Sequence, residues 1–230
     1  MPGYVIHLAL AKRVVDICGI TDEDYKEQFF LGNIVPDTPD VSGKRYSHFW
    51  TGDMYERFVR VPDLATFNDI YGDLLYDPYI LGYYAHLYLD VEFLRVYWKT
   101  HFSFYNDGLQ EEDDYHKVSR VLLQGGHRMY SREEFFSTEM YYGDYDRMND
   151  YFIYKYNISI PKSCLVEDKI KELDVTIANE KLPHMIEKLT GCSGSVDIPE
   201  LKVFEIHELE ELIESVAKDI SELVKMYRIS

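Results

Sequence analysis

The most apolar stretch of the chain, residues 79–94 (Tyr-Ile-Leu-Gly-Tyr-Tyr-Ala-His-Leu-Tyr-Leu-Asp-Val-Glu-Phe-Leu), is broken by a histidine and an aspartate four residues apart. A helix of this composition is hydrophobic around most of its circumference, which makes it the central helix of a bundle. At i, i+4 spacing His86 and Asp90 share one face, about 6 Å apart along the axis. An ionised carboxylate buried there costs several kcal/mol unless it is paired or bound to a metal. The pair is therefore the first candidate metal site, and an internal hydrogen bond without metal is the plain alternative. Asp77 and Pro78 suit the N-cap and first turn, and the helix is expected to run to about Lys99.

Helical signals dominate elsewhere, and no convincing period-two alternation marks a strand. Residues 4–18 are amphipathic, with Leu10, Ala11, Val14 and Cys18 on one face, and Gly19 ends the helix. Thr21 opens a second helix that finishes at Phe29, Phe30 and Leu31. Residues 32–53 are rich in breakers and read as a long ordered loop. A helix starts near Pro62-Asp63 and stops before Gly72. Another is expected to end near Gln124, ahead of a Gly-Gly-His break at 125–127.

Six tyrosines follow in residues 139–156, at positions 141, 142, 145, 151, 154 and 156. They can line a pocket or cover the outside of a helical pair with their polar tips in water, and the second reading is favoured. Gly-Cys-Ser-Gly-Ser at 191–195 reads as a connector. The last helix carries a heptad seam at Ile206, Leu209, Ile213, Val216, Ile220, Leu223 and Tyr227, suited to docking on the body of the protein or to a homodimer. The expected fold is all-α, a multi-helix bundle around a buried central helix with metal ligands between helices. Residues 1–162 form a metal-binding core and 163–230 a helical extension packed on it as one structural domain.

A chain of 230 residues suffices for one full core. A formal net charge of −17 argues against binding a nucleic-acid backbone, which needs a basic face. A small phosphate ester held through metal ions remains compatible with it. The N-terminal Met-Pro-Gly-Tyr-Val-Ile-His has no basic region or long apolar run of a secretory signal, and residues 79–94 are too short to span a bilayer, so a cytoplasmic protein is expected. Cys18, Cys164 and Cys192 lie far apart, offer no disulfide framework or paired zinc spacing, and read as small buried hydrophobes.

Two further regions place ligand-type residues in unusual positions. His7 shares a helix face with Leu10, Ala11, Val14 and Cys18, so its imidazole points inward, as a ligand or as a hydrogen-bonded core residue. The loop supplies Asp37 after Pro36 and His48 before two aromatics; Asp37 can instead cap a turn, and His48 can merely pack. Three histidines and two carboxylates suit zinc or a similar divalent metal.

The ordered set Ile-His-Leu-Ala, Leu-Gly-Asn-Ile-Val-Pro-Asp, Ser-His-Phe and Leu-Gly-Tyr-Tyr-Ala-His-Leu-Tyr-Leu-Asp resembles the zinc-dependent phospholipase C family, relatives of the single-strand-specific zinc nucleases. The resemblance covers about residues 1–98. It implies an all-helical fold with metals between helices, and His7, Asp37, His48, His86 and Asp90 match the family's ligand positions by order. It implies that Asp90 bridges two metals. Secreted members also use the mature N-terminal amine with a tryptophan, and further His and Glu ligands soon after the His-x-x-x-Asp pair. Here His101 follows Asp90 by eleven residues, about 16 Å along a straight helix. His116 and His127 match no motif. One or two ions are expected, not three.

The expected function is metal-dependent hydrolysis of a small phosphate ester, most simply a diester, by metal-activated water, with Asp37 as ligand or as general base. The rival is a helical binding or structural protein that keeps the fold, with or without a metal, and has lost turnover. A third class of helical phosphohydrolase anchors its metal on a His-Asp dipeptide, which this sequence lacks.

Overall fold

The computed structural model describes residues 2–162, 165–191 and 197–228. Helix α1 (Tyr4–Cys18) is stopped by Gly19, whose φ of 59° is left-handed and carries no Cβ penalty. Helix α2 (Glu23–Ile34) starts at Asp22, whose carboxylate accepts from the N–H groups of Asp24 and Tyr25. A 3₁₀ turn (Val35–Asp37) leads to α3 (Val41–Ser47), capped by Asp40. Helix α4 (Leu64–Tyr71) is capped by Asp63.

Helix α5 (Pro78–Glu92) is capped by Asp77, as expected, and is the most buried element. It continues as a π-helical segment (Phe93–Trp98) and the short α6 (Lys99–His101). After a small sheet come α7 (Arg132–Phe135), α8 (Tyr141–Tyr156), α9 (Val175–Thr190) and α10 (Ile206–Arg228).

The all-α class holds, with one addition. Three antiparallel strands, β1 (Phe102–Tyr105), β2 (Arg120–Leu123) and β3 (Arg128–Ser131), pair in the order β1-β2-β3, with Phe102 opposite Leu123 and Arg120 opposite Ser131. Residues 120–123 are thus strand where a helix was expected. Four residues are too few to show a period of two, and Arg-Val-Leu-Leu does not alternate. The expected loop at 32–53 is also partly helical: α2 runs on through Gly32 and Asn33 because both are buried, and α3 lies within it.

The packing of α2 on α5 sets the geometry of the core. A Cβ on Gly32 would fall 2.0 Å from the Tyr79 carbonyl oxygen, and one on Gly82 would fall 2.2 Å from that of Phe29. The two helices therefore touch backbone to backbone, and Asn33 Nδ2 donates to the Gly82 carbonyl at 3.1 Å. Helix α10 buries Leu209, Ile213, Val216, Ala217, Ile220 and Val224 and lies against α1 and α5. Arg13 of α1 donates to both carboxylate oxygens of Glu214 at 2.8 Å. The heptad seam is thus spent on intramolecular docking, and the structure offers no support for a homodimer through it.

Cys18 is half-buried rather than buried, with its Sγ 3.7 Å from the Ser221 carbonyl. Cys164, Cys192 and most of the 191–195 connector lie outside the described residues. Among the described residues no helix is long and apolar enough to cross a membrane.

The Gly82→Ala variant is expected to lose about 3 kcal/mol or more in urea unfolding, beyond ordinary overpacking because the obstacle is backbone. Gly72→Ala, where a Cβ would meet only Asn68 Cβ at 3.9 Å, should stay within about 0.5 kcal/mol of wild type.

Candidate metal centre

The five ligand-type residues foreseen in the sequence come together. His7 arrives from the first turns of α1, Asp37 from the 3₁₀ turn, His48 from the C-cap of α3, and His86 and Asp90 from adjacent turns of α5. His7, His48, His86 and Asp90 are fully buried, whereas the Asp37 side chain is 10% exposed.

Each of two imidazoles is oriented through its Nδ1. His86 Nδ1 lies 2.8 Å from the carbonyl oxygen of Asn33 and so donates to it. Ser47 Oγ donates to the Pro36 carbonyl at 2.9 Å, which leaves its oxygen to accept from His48 Nδ1 at 3.0 Å. Both Nε2 atoms then carry lone pairs, and they face each other at 3.3 Å. Two acceptors cannot hydrogen-bond to one another.

The carboxylates complete the set. His48 Nε2 is 3.4 Å from Asp90 Oδ2 and 3.6 Å from Asp37 Oδ1, and His86 Nε2 is 3.7 Å from Asp90 Oδ2. Charge-assisted N–H···O bonds are about 2.7–2.9 Å long, so these contacts are too long for direct pairing. The separations of 3.3 and 3.4 Å match the roughly 3.3–3.5 Å edges of a tetrahedron whose centre lies about 2.0–2.1 Å from N and O donors, and those of 3.6 and 3.7 Å are slightly longer. On the other side, His7 Nε2 is 3.5 Å from Asp90 Oδ1, and its ring stacks on that of His86 at 3.8 Å.

Both oxygens of Asp90 and both nitrogens of His7 are buried without a hydrogen-bond partner, an arrangement expensive to leave unmet. Buried groupings of His7, His86 and Asp90, and of Asp37, His48 and His86, are close enough to hold a metal ion. The donor set, imidazole nitrogen and carboxylate oxygen, is that of zinc and similar divalent ions.

The electrostatics agree. Burial pushes the Asp90 carboxyl up, but the imidazoles of His86, His48 and His7 outweigh it and hold Asp90 well below the usual range. Burial likewise raises Asp37, and Lys44 and His48 overcome it. Burial, reinforced by His7, pushes the His86 imidazole down to about 3. Burial also lowers His48, yet the Asp37 and Asp90 carboxylates raise it further.

Other histidines stay outside. His101 donates Nδ1–H to the Tyr97 carbonyl at 2.8 Å and pairs with Glu208; His116 and His127 are exposed. Of the tyrosines beside His86, Tyr83 acts on the site only indirectly, donating to the Ser47 carbonyl at 2.7 Å. The orienting groups that sequence reasoning missed are Asn33 and Ser47, which act through a main-chain carbonyl and a hydroxyl. Lys44 was missed as well, although it precedes His48 by four residues and shares its helix face. It pairs with Asp37.

A cleft of about 410 Å³ opens beside Asp37 and Lys44, lined by Gly3, Trp98, Phe136, Tyr141, Tyr142 and Tyr145 among others. Tyrosines 141 and 145 therefore form a pocket wall, contrary to the favoured surface reading, because α8 packs this turn against α1 and the π-helical segment. Tyr142 and Tyr154 are exposed, as that reading expected. Pro2 also lines the cleft, and Met1 lies outside the described residues.

No protein-family model, curated protein or solved structure matches the chain.

In metal-free protein at pH 5, nitrogen NMR should find His86 still neutral and protonated on Nδ1, where an ordinary imidazole is mostly charged. A charged His86 at that pH would contradict the geometry.

Proposed function

We propose that the chain is a metal-dependent hydrolase of small phosphate esters, acting on diesters through activated water. The observation that carries this reading is the convergence of His86, Asp90 and Asp37 on His48 Nε2, each 3.3–3.6 Å from it and none close enough for a short ion pair, beside an open cleft. Asp37, His48, His86 and Asp90 would hold one ion, most simply zinc. His7 and Asp90 would supply ligands to a second ion, if one binds. The ordered motifs that resemble the zinc-dependent phospholipases C support the same assignment. A divalent ion so held acts as a Lewis acid on a phosphoryl oxygen and makes bound water acidic enough to serve as a nucleophile near neutral pH.

The remaining roles fall to the chain itself. Asp37 is the carboxylate that reaches both the cleft and the imidazoles, so it can orient an attacking water and accept its proton. The Asn33 carbonyl and the Ser47 hydroxyl fix the tautomers of His86 and His48. Trp98, Tyr141 and Tyr145 wall the site with aromatic surface. Tyr145 donates to the Tyr141 hydroxyl at 2.8 Å. Burial holds both phenols above their ordinary range, so they serve as hydrogen-bonding groups and not as bases.

A second reading is favoured by the same four donors. Four protein ligands fill a tetrahedron, as in structural zinc sites, whereas catalytic sites usually keep a position open. On that reading the ion stabilises a helical binding protein without turnover.

Hydrolysis of bis(p-nitrophenyl) phosphate by the zinc-loaded protein separates the two. The hydrolase reading expects a rate that falls about a hundredfold or more in Asp90→Asn. Zinc-loaded, folded protein with no turnover above the variant's would leave the structural reading.

A further inference from the structure

We propose that Lys44 is the anion anchor of the cleft, its ammonium holding a non-bridging oxygen of the substrate's phosphoryl group while tethered to Asp37. The proposal rests on the phosphate-ester reading above and names the residue that selects an anionic ester over a neutral one.

Placement is the first argument. Lys44 and His48 lie four residues apart on α3 and its C-cap, so both side chains reach toward Asp37. Lys44 is paired with the Asp37 Oδ1 atom that also faces His48 Nε2. Its ammonium is thus fixed at the border between the buried donors and the open cleft.

Charge is the second. Among the described residues, Lys44 is the only lysine or arginine that lines this cleft, and the other charged side chains there are Asp37 and Asp146. The aromatic walls bring no formal positive charge. In a chain of net charge −17, an anion entering this cleft meets one cationic side chain, and it stands beside the metal ligands.

Donor capacity is the third. An ammonium has three N–H donors, and one is engaged by Asp37. The side chain is 23% exposed, which leaves the others accessible from the cleft. The pair keeps the Asp37 carboxylate ionised against its burial, but a cation beside Asp37 also repels the metal ion that Asp37 would bind. A phosphoryl oxygen offers a reason for the lysine to stand there: it takes a charge-assisted hydrogen bond from the ammonium and lies between two positive charges.

The test uses inorganic phosphate as the probe, titrated by calorimetry into zinc-loaded wild type, Lys44→Met and Lys44→Arg, with zinc content measured on each. Lys44→Met keeps the aliphatic stem and should retain zinc and fold while binding phosphate about tenfold more weakly or worse. Lys44→Arg, which keeps the charge, should stay within a few-fold of wild type. Phosphate affinity in Lys44→Met within twofold of wild type at equal zinc content would overturn the anchor. Loss of zinc from Lys44→Met would overturn it differently, by showing that the lysine acts on the ion through Asp37. Absence of zinc from wild type itself would mark failure of the metal-centre reading, and the anchor would fall with it.

Discussion

Two helices can meet backbone to backbone only where neither carries a Cβ at the crossing, and α2 and α5 meet that way at Gly32 and Gly82. The contact fixes more than the core. It brings the Asn33 amide onto the Gly82 carbonyl and the Asn33 carbonyl onto His86 Nδ1. The imidazole is thereby locked with its Nε2 lone pair directed at His48 and Asp90. A side chain at either glycine would part the helices and move that carbonyl away from the ring. The site's chemistry is thus inherited from a packing contact that has no chemistry of its own.

The second constraint is electrostatic. Asp90 is fully buried, and its two oxygens face three imidazoles at 3.4–3.7 Å without making a hydrogen bond. A bundle core that merely tolerated a carboxylate would close those distances into short ion pairs. Here the Asn33 carbonyl holds the His86 ring and the Ser47 hydroxyl the His48 ring, so those two cannot close on the carboxylate. The polar groups converge without pairing, in two buried groupings that share His86, and a cation held among them would relieve their desolvation.

Much of this was legible in the sequence where the signal is local. The apolar surroundings of His86 and Asp90 announced both the central helix and the buried polar pair. Asp77, Asp63 and Gly19 marked helix ends through cap chemistry that depends on a few neighbouring residues. The breaker-rich segment 32–53 was misread as a loop because the burial that carries α2 through Gly32 and Asn33 comes from α5, some fifty residues away. The strands were missed for want of length. Asn33 contributes through its backbone and its packing, which leave no mark on residue type, while the spacing of Lys44 from His48 was visible but had no meaning until Asp37 was seen between them. The roles of Tyr141 and Tyr145 depended on which face of α8 turns toward α1, and a helix carrying six tyrosines does not declare that face.

The central claim is that these residues surround a cation. Its most direct measurement is the metal content of the purified protein by elemental mass spectrometry, beside a His86→Ala/Asp90→Ala double variant of comparable helicity. The account expects one to two equivalents of a divalent transition metal, foremost zinc, in the wild type and none in the variant. A wild type that stays metal-free after incubation with zinc, manganese or iron(II) would contradict it and return the five residues to the role of a buried polar network.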